Sequence, residues 1–385
     1  MNYHSIKSFL KKNSPSFVNS VFRLRDHLVR MIAIQQASRF QKASSGILLS
    51  YLASKFPQRP PTRTEVSHGG TVKMTYLAEA FPHSFPIANV LYTVSSVDHP
   101  ARAEIVRSAK KKGIKVLLNQ NGVAYPAWHG AGWEKTNERM KTVLDLADYV
   151  IYQSDFCRRS ADHFLATAQA SWEILFNPVE THLFKPSSSI INEKAITLVL
   201  GGNQYERYRF DLAIQVLEKL SKVHANVRLI VTGKLWDTSP ETQKSVRASL
   251  EHKRLLDKVD FIGSYTQQDA PGILNSGHIL LHTKFNDPCP TIVIEALSCG
   301  LPVVYLDSGG TPELVAEAGV GVPVNATWEK NELPSPDALS DAVISVMDRY
   351  KIYSEAARQR AVDVFAVEKY IQAHQRIFEK LLDTK

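Results

Sequence analysis

Two carboxylates, Asp287 and Glu295, are separated by seven residues in the stretch KFNDPCPTIVIEALSCGLPVVYLDSGGTPELV, residues 284–315. A loop with Pro288 and Pro290 leads into a helix expected to start near Pro290-Thr291 and to end at Cys299-Gly300, after which Leu301-Pro302 restarts the chain into a strand. Asp287 then stands in the loop, and Glu295 about one turn inside the helix. The unpaired amides of the helix start, those of Thr291 and Ile292 among them, and its positive dipole end suit an anion. A carboxylate beside an anion is repulsive unless it meets hydrogen-bond donors. A nucleoside diphosphate supplies both partners, phosphates for the amides and ribose hydroxyls for the acid.

These residues need strands and helices to hold them. From Gly69 onward, short apolar runs alternate with amphipathic stretches: IANVLYTVSS (87–96), IKVLLNQ (114–120), DYVIYQS (148–154) and WEILFN (172–177), then AITLVLGG (195–202), NVRLIVTG (226–233), VDFIG (259–263), HILLHT (278–283) and PVVYLD (302–307). Such alternation predicts two doubly wound α/β domains with parallel sheets, joined within residues 177–189. Residues 61–178 form the first domain in this reading and 179–363 the second. The remaining segment, 364–385, holds a terminal helix (367–382) with Tyr370, Ile371, His374, Ile377, Phe378 and Leu381 on one face, to be buried on its own domain or on the first.

Residues 1–60 carry ten basic side chains against Asp26 alone, a net +9 that accounts for the whole chain's +8. Phe17, Val21, Phe22, Leu24, Leu28, Val29 and Ile32 recur near helical spacing, so an amphipathic helix is expected over 15–36, followed by a second over 38–55. Pro60 and Pro61 then forbid continuation. The basic excess belongs to this arm, so nucleic-acid binding by the body of the protein is not expected.

The 284–315 segment resembles glycosyltransferase family four, in which two acids separated by seven residues precede the phrases matched here by EALSCGLPVV (295–304) and GGTPELV (309–315). HGGTVK, with Gly69, Gly70 and Thr71, is similar to the family's N-terminal Gly-Gly loop, and LFNPVETHLFKP (175–186) to its interdomain junction. The resemblance implies the GT-B fold, two Rossmann-like domains facing a cleft, with the helical arm added. It also implies retaining transfer from a nucleotide-sugar to a saccharide or lipid-linked acceptor, without metal or other cofactor. Glu295 would bind the ribose, Asp287 the transferred sugar, and the amides of Thr291 and Ile292 the diphosphate. Arg207 and Arg209 are the cations nearest the family's diphosphate-binding pair. Asn121 occupies the place of an active-site His, with His129 eight residues further on. Asp287 replaces the family's usual Glu, and Pro290 its usual Gly, removing an N–H.

Position alone adds Gly202, at the end of AITLVLGG, Lys234, at the end of the strand NVRLIVTG, and Tyr265, a candidate for stacking near a nucleobase. The competing readings are an epimerase or hydrolase of nucleotide-sugars on the same fold and a silent sugar-nucleotide-binding scaffold. A Rossmann dehydrogenase is disfavoured, since no G-x-G-x-x-G follows a strand with an acid about 20 residues on. Three cysteines without C-x-x-C pairing, and no apolar run of spanning length, suit a cytoplasmic protein, peripheral at the inner membrane face if the basic arm meets anionic lipid.

Overall fold

The computed structural model describes residues 15–62, 69–187 and 195–383, with the side chains of 15–23 and 69–71 outside the description. The first sheet is parallel, with strands in chain order: β2 (Leu49–Leu52), β4 (Val90–Val94), β5 (Lys115–Gln120), β6 (Tyr149–Tyr152) and β7 (Ser171–Ile174). A small parallel pair, β1 (Gln41–Lys42) with β3 (Ile87–Ala88), lies apart from it. Both faces of the sheet are covered, as expected for parallel strands that read as unbroken apolar runs. Leu91, Val116 and Val150 pack on one side, with Ile105 of the helix Arg102–Lys111. Val90, Tyr92 and Leu117 pack on the other, with Leu77 of the helix Gly69–Ala80.

The second sheet, also parallel, has the order β10-β9-β8-β11-β12-β13, where β8 is Ile196–Leu200, β9 Val227–Thr232, β10 Val259–Gly263, β11 Ile279–His282, β12 Val303–Asp307 and β13 Gly319–Pro323. The order reverses between β8 and β11. This sheet therefore has a topological switch point, the place where open α/β sheets bind ligands beyond their strand carboxyl ends. The helices used below are α1 (Pro15–Ala37), α2 (Gly69–Ala80), α3 (Arg102–Lys111), α4 (Asp155–Phe164), α5 (Arg207–Val223), α6 (Thr291–Ser298), α7 (Thr311–Val315) and α8 (Val367–Asp383).

Two sequence expectations are corrected. The helix expected over 38–55 is not formed: the run ILLSYL contains the edge strand β2, with all four strand residues buried. A short, fully apolar run has no periodicity to separate a buried strand from a buried helix. The arm therefore does not extend to residue 60, because 41–60 is built into the first domain.

The terminal helix α8 crosses back. Ile377, Phe378 and Leu381 are buried with Leu49, Tyr51 and Leu77 of the first domain, and Phe378 meets Phe81 edge-on at 5.2 Å. Among the described residues, no helix is long and apolar enough to cross a membrane.

Candidate active site

The second sheet's switch point brings two loops together. One leaves β8 through Gly201-Gly202; the other leaves β11 and carries Asp287 into α6. Helix α6 begins at Thr291 after Pro290, whose extended backbone and missing N–H make it a natural first cap. A Cβ on Gly201 would lie 2.5 Å from Ile292 Cγ1, so only glycine lets the β8 loop approach the α6 start this closely. Gly202 has φ +80° and donates its N–H to Thr232 Oγ1 at 2.9 Å. Gly201 thus abuts Ile292 at the start of α6, where the amides of Thr291 and Ile292 have no helical partner.

Asp287 is largely buried. Burial alone would raise its pKa, but Lys284 Nζ at 3.1 Å and, secondarily, His282 Nε2 at 3.5 Å hold the carboxyl well below the ordinary range. Burial pushes His282 itself down, toward the neutral imidazole. The cation beside Asp287 is therefore Lys284, three residues earlier in the same loop. Arg209 also carries positive charge toward Asp287. Its guanidinium donates to the carbonyls of Asn203 (2.8 Å) and Gly201 (3.2 Å), fixing the β8 loop from within the core.

Glu295 is partly screened by protein, and its carboxylate makes no hydrogen bond to any described residue. Burial pushes its carboxyl up to about 8. Tyr265 stands close by, its phenol raised to about 12, chiefly by burial and then by the Glu295 charge. A poorly solvated carboxyl without a partner is suited to accept hydrogen bonds from a ligand, and such perturbed groups concentrate at functional sites.

Across the cleft, Asn121 opens the loop after β5. Its Oδ1 accepts from Ser95 Oγ (2.5 Å) and the Ser96 N–H (3.1 Å), and its Nδ2 donates to Ser96 Oγ (2.9 Å), which fixes the side chain. Asn121 and Asp287 line opposite sides of one cavity of about 1010 Å³ between the domains, together with Tyr125, His129, Glu206 and Lys284. Tyr125 is buried, and its phenol is raised by burial and by Asp287. His129 is exposed, 3.2 Å from Thr136 Oγ1.

Other sequence candidates are placed differently. Arg207 is exposed, pairs with Asp211 at 3.0 Å and lies over Trp236. The Lys234 side chain is exposed, and it is the residue's backbone N–H that is used, by Asn203 Oδ1. Gly69, Gly70 and Thr71 open α2. One turn in, the buried Lys73 ammonium has no partner; burial lowers it to about 7, and it faces Cys289 and Cys157. The start of α2 thus lies behind the Asp287 loop. Lys284, His282, Tyr125 and Lys73 were not singled out from sequence. Of these, Lys284 alone had a local cue, its spacing of three from Asp287.

Two parallel-sheet domains facing a cleft, the second with a topological switch point, define a protein of GT-B architecture. Residues 183–361 match the family described as glycosyl transferases group 1. Among curated relatives, the gpi3 subunit of phosphatidylinositol N-acetylglucosaminyltransferase of Schizosaccharomyces pombe is 24% identical over 285 residues, 72% of this chain and 58% of that one. The human protein that bears the same enzyme name is 30% identical over 327 residues, 82% and 64% of the two chains. The chain thus spans less than two thirds of the length of these relatives. Among solved structures, Anabaena HepE in complex with UDP-glucose superposes with a TM-score of 0.62 at 15% identity, covering 76% of this chain and 79% of its own. A glycosyltransferase of Rickettsia africae reaches 0.60 at 15%, covering 83% and 85%.

Proposed function

We propose that this chain is a retaining glycosyltransferase that moves a sugar from a UDP-sugar to a lipid-linked acceptor, with Asp287 at the transferred sugar, Glu295 at the ribose and the α6 amides at the diphosphate. The observation that carries the reading is the placement of Asp287, ionised and held by Lys284, on the wall of an interdomain cavity opposite Asn121. UDP is favoured as the nucleotide because HepE binds UDP-glucose, and a phosphatidylinositol-type acceptor because the relatives bear that substrate in their names.

In this mechanism the acceptor hydroxyl attacks the anomeric carbon from the face the diphosphate leaves. The C–O bond to the β-phosphate breaks, and a phosphate oxygen takes the acceptor proton. The departing charge is met by the α6 amides, so metal is not required. Transfer assays over UDP-, GDP- and ADP-sugars, with and without a phosphatidylinositol acceptor and with chelator, test this. A glycosylated lipid formed from one donor, with activity retained in chelator, is the expected result. Free sugar as the only product under every condition overturns the reading.

The arm supplies the acceptor's surface in this proposal. Ala33 and Ala37 of α1 are buried on the first domain, and Arg30 pairs with Glu104 of α3. Leu24, Leu28, Met31 and Ile32 remain 61%, 53%, 55% and 56% exposed. Arg30, on the side of α1 that carries Ala33 and Ala37, lines the cavity that holds Asp287, and the four apolar side chains face away from it. Together with the +9 charge of residues 1–60, this apolar face suits a helix lying in an anionic lipid interface.

A further inference from the structure

Helix α7 belongs to the second domain and α4 to the first, yet one side chain joins them. Glu313 Oε2 accepts the N–H of Asp155 at 2.7 Å and its Oε1 accepts that of Phe156 at 2.9 Å. These are the first two amides of α4, groups that no helical carbonyl can satisfy. A carboxylate at this end also complements the helix dipole. The Asp155 carboxylate cannot serve instead, because Arg158 and Arg159 engage it.

The same contact reaches the Asp287 loop. Ser154, the α4 cap, accepts the Cys157 N–H and donates its hydroxyl to the Pro288 carbonyl at 2.6 Å. Gly310, next to α7, donates its N–H to the Asp287 carbonyl at 2.9 Å. A Cβ there would lie 2.1 Å from Pro288 O and 2.8 Å from Ser154 Oγ, so the three segments touch without room for a side chain. The backbone of Glu313 is tied to its own domain, its carbonyl accepting from Arg360 Nη2 at 2.6 Å. An anchored residue whose carboxylate caps a helix of the other domain is a fixed strut between the two.

We propose that Glu313 is a positioning residue: by clasping the α4 amides it holds the second domain against the first in the arrangement that sets Asp287 opposite Asn121. The proposal rests on the glycosyltransferase reading for its kinetic consequence, and on geometry alone for its structural one. The amides of α6 and Glu295, which would hold the nucleotide, lie wholly in the second domain. The clasp therefore governs turnover and not nucleotide affinity.

The test uses the full chain, its Glu313→Ala and Glu313→Gln variants, small-angle scattering, UDP calorimetry and transfer kinetics. Glu313→Ala is expected to lower kcat about ten- to a hundredfold, as a misplacement of reacting groups near 1 Å does, to keep UDP affinity within about twofold of wild type on that reasoning, and to enlarge the radius of gyration. Glu313→Gln, whose amide oxygen accepts one of the two bonds, is expected to recover part of both losses. A lowered melting temperature with unchanged kcat and scattering in both variants makes Glu313 merely structural and overturns the clasp. Absence of transfer by the wild-type chain from any donor overturns the glycosyltransferase reading instead, and the scattering comparison still decides the clasp.

Discussion

Glu295 and Asp287 are two carboxylates displaced in opposite directions by their surroundings, and each displacement has a measurable consequence. Glu295 keeps its proton to about pH 8, whereas in the unfolded chain it is released near 4.5. Between these values the unfolded state binds fewer protons, so stability falls as pH rises. Glu295→Gln removes that loss and is expected to melt higher than wild type at pH 8, by about 2–4 °C per kcal/mol recovered, with the difference vanishing toward pH 4. Ribose hydroxyls that donate to the carboxylate favour its ionised form, so donor binding draws off the Glu295 proton, and the same variant should weaken donor use roughly tenfold to over a hundredfold. Asp287 has the opposite sign. Its lowered value adds stability above the ordinary carboxylate range, and that stability is lost as pH falls. Lys284→Met removes the main cause, so the acid limbs of both the melting and the kcat profiles should move to higher pH. Unmoved acid limbs would show that Lys284 does not hold the Asp287 charge.

At the scale of elements, the α6 start depends on a glycine in a different loop. Gly201→Ala places a methyl 2.5 Å from Ile292 Cγ1, and Ile292 is the second residue of α6. The expected outcome is a loss of nucleotide affinity by calorimetry, with much smaller loss of secondary structure by circular dichroism. Helix α8 shows how far an element can act from its own domain. Phe378 is fully buried against the first domain, so Phe378→Ala should cost about 3–5 kcal/mol in chemical denaturation and affect both domains. The crossing was one of two destinations its apolar face allowed, and the sequence had no means of choosing between them.

For the whole molecule, the cleft and the arm belong to one arrangement. The cavity runs from Asp287 past Asn121 to Arg30, where α1 turns its apolar side outward. Replacing Leu24, Leu28, Met31 and Ile32 by Ser is expected to abolish sedimentation with anionic vesicles while leaving the melting temperature nearly unchanged, since these side chains are exposed. Wild-type binding should weaken with salt, because each basic group near such a surface contributes about 1 kcal/mol that salt screens. Equal partitioning of variant and wild type would remove the lipid-surface reading.

Local chemistry carried much of this protein in its sequence. The β–α alternation, the limits of α6, and Asp287 before it with Glu295 within it were legible because period, caps and prolines act over a few residues. The same locality explains the errors: ILLSYL has no period to exclude a helix, and Arg207 and Arg209 differ only in which way α5 turns them, one to solvent beside Asp211 and the other into the core. Tertiary structure decided what crosses between domains: α8 on the first sheet, Lys73 behind Cys289, Asn121 facing Asp287, and Glu313 on the amides of α4. Those pairings join residues far apart in the chain, and only the packing of the two sheets brings them together.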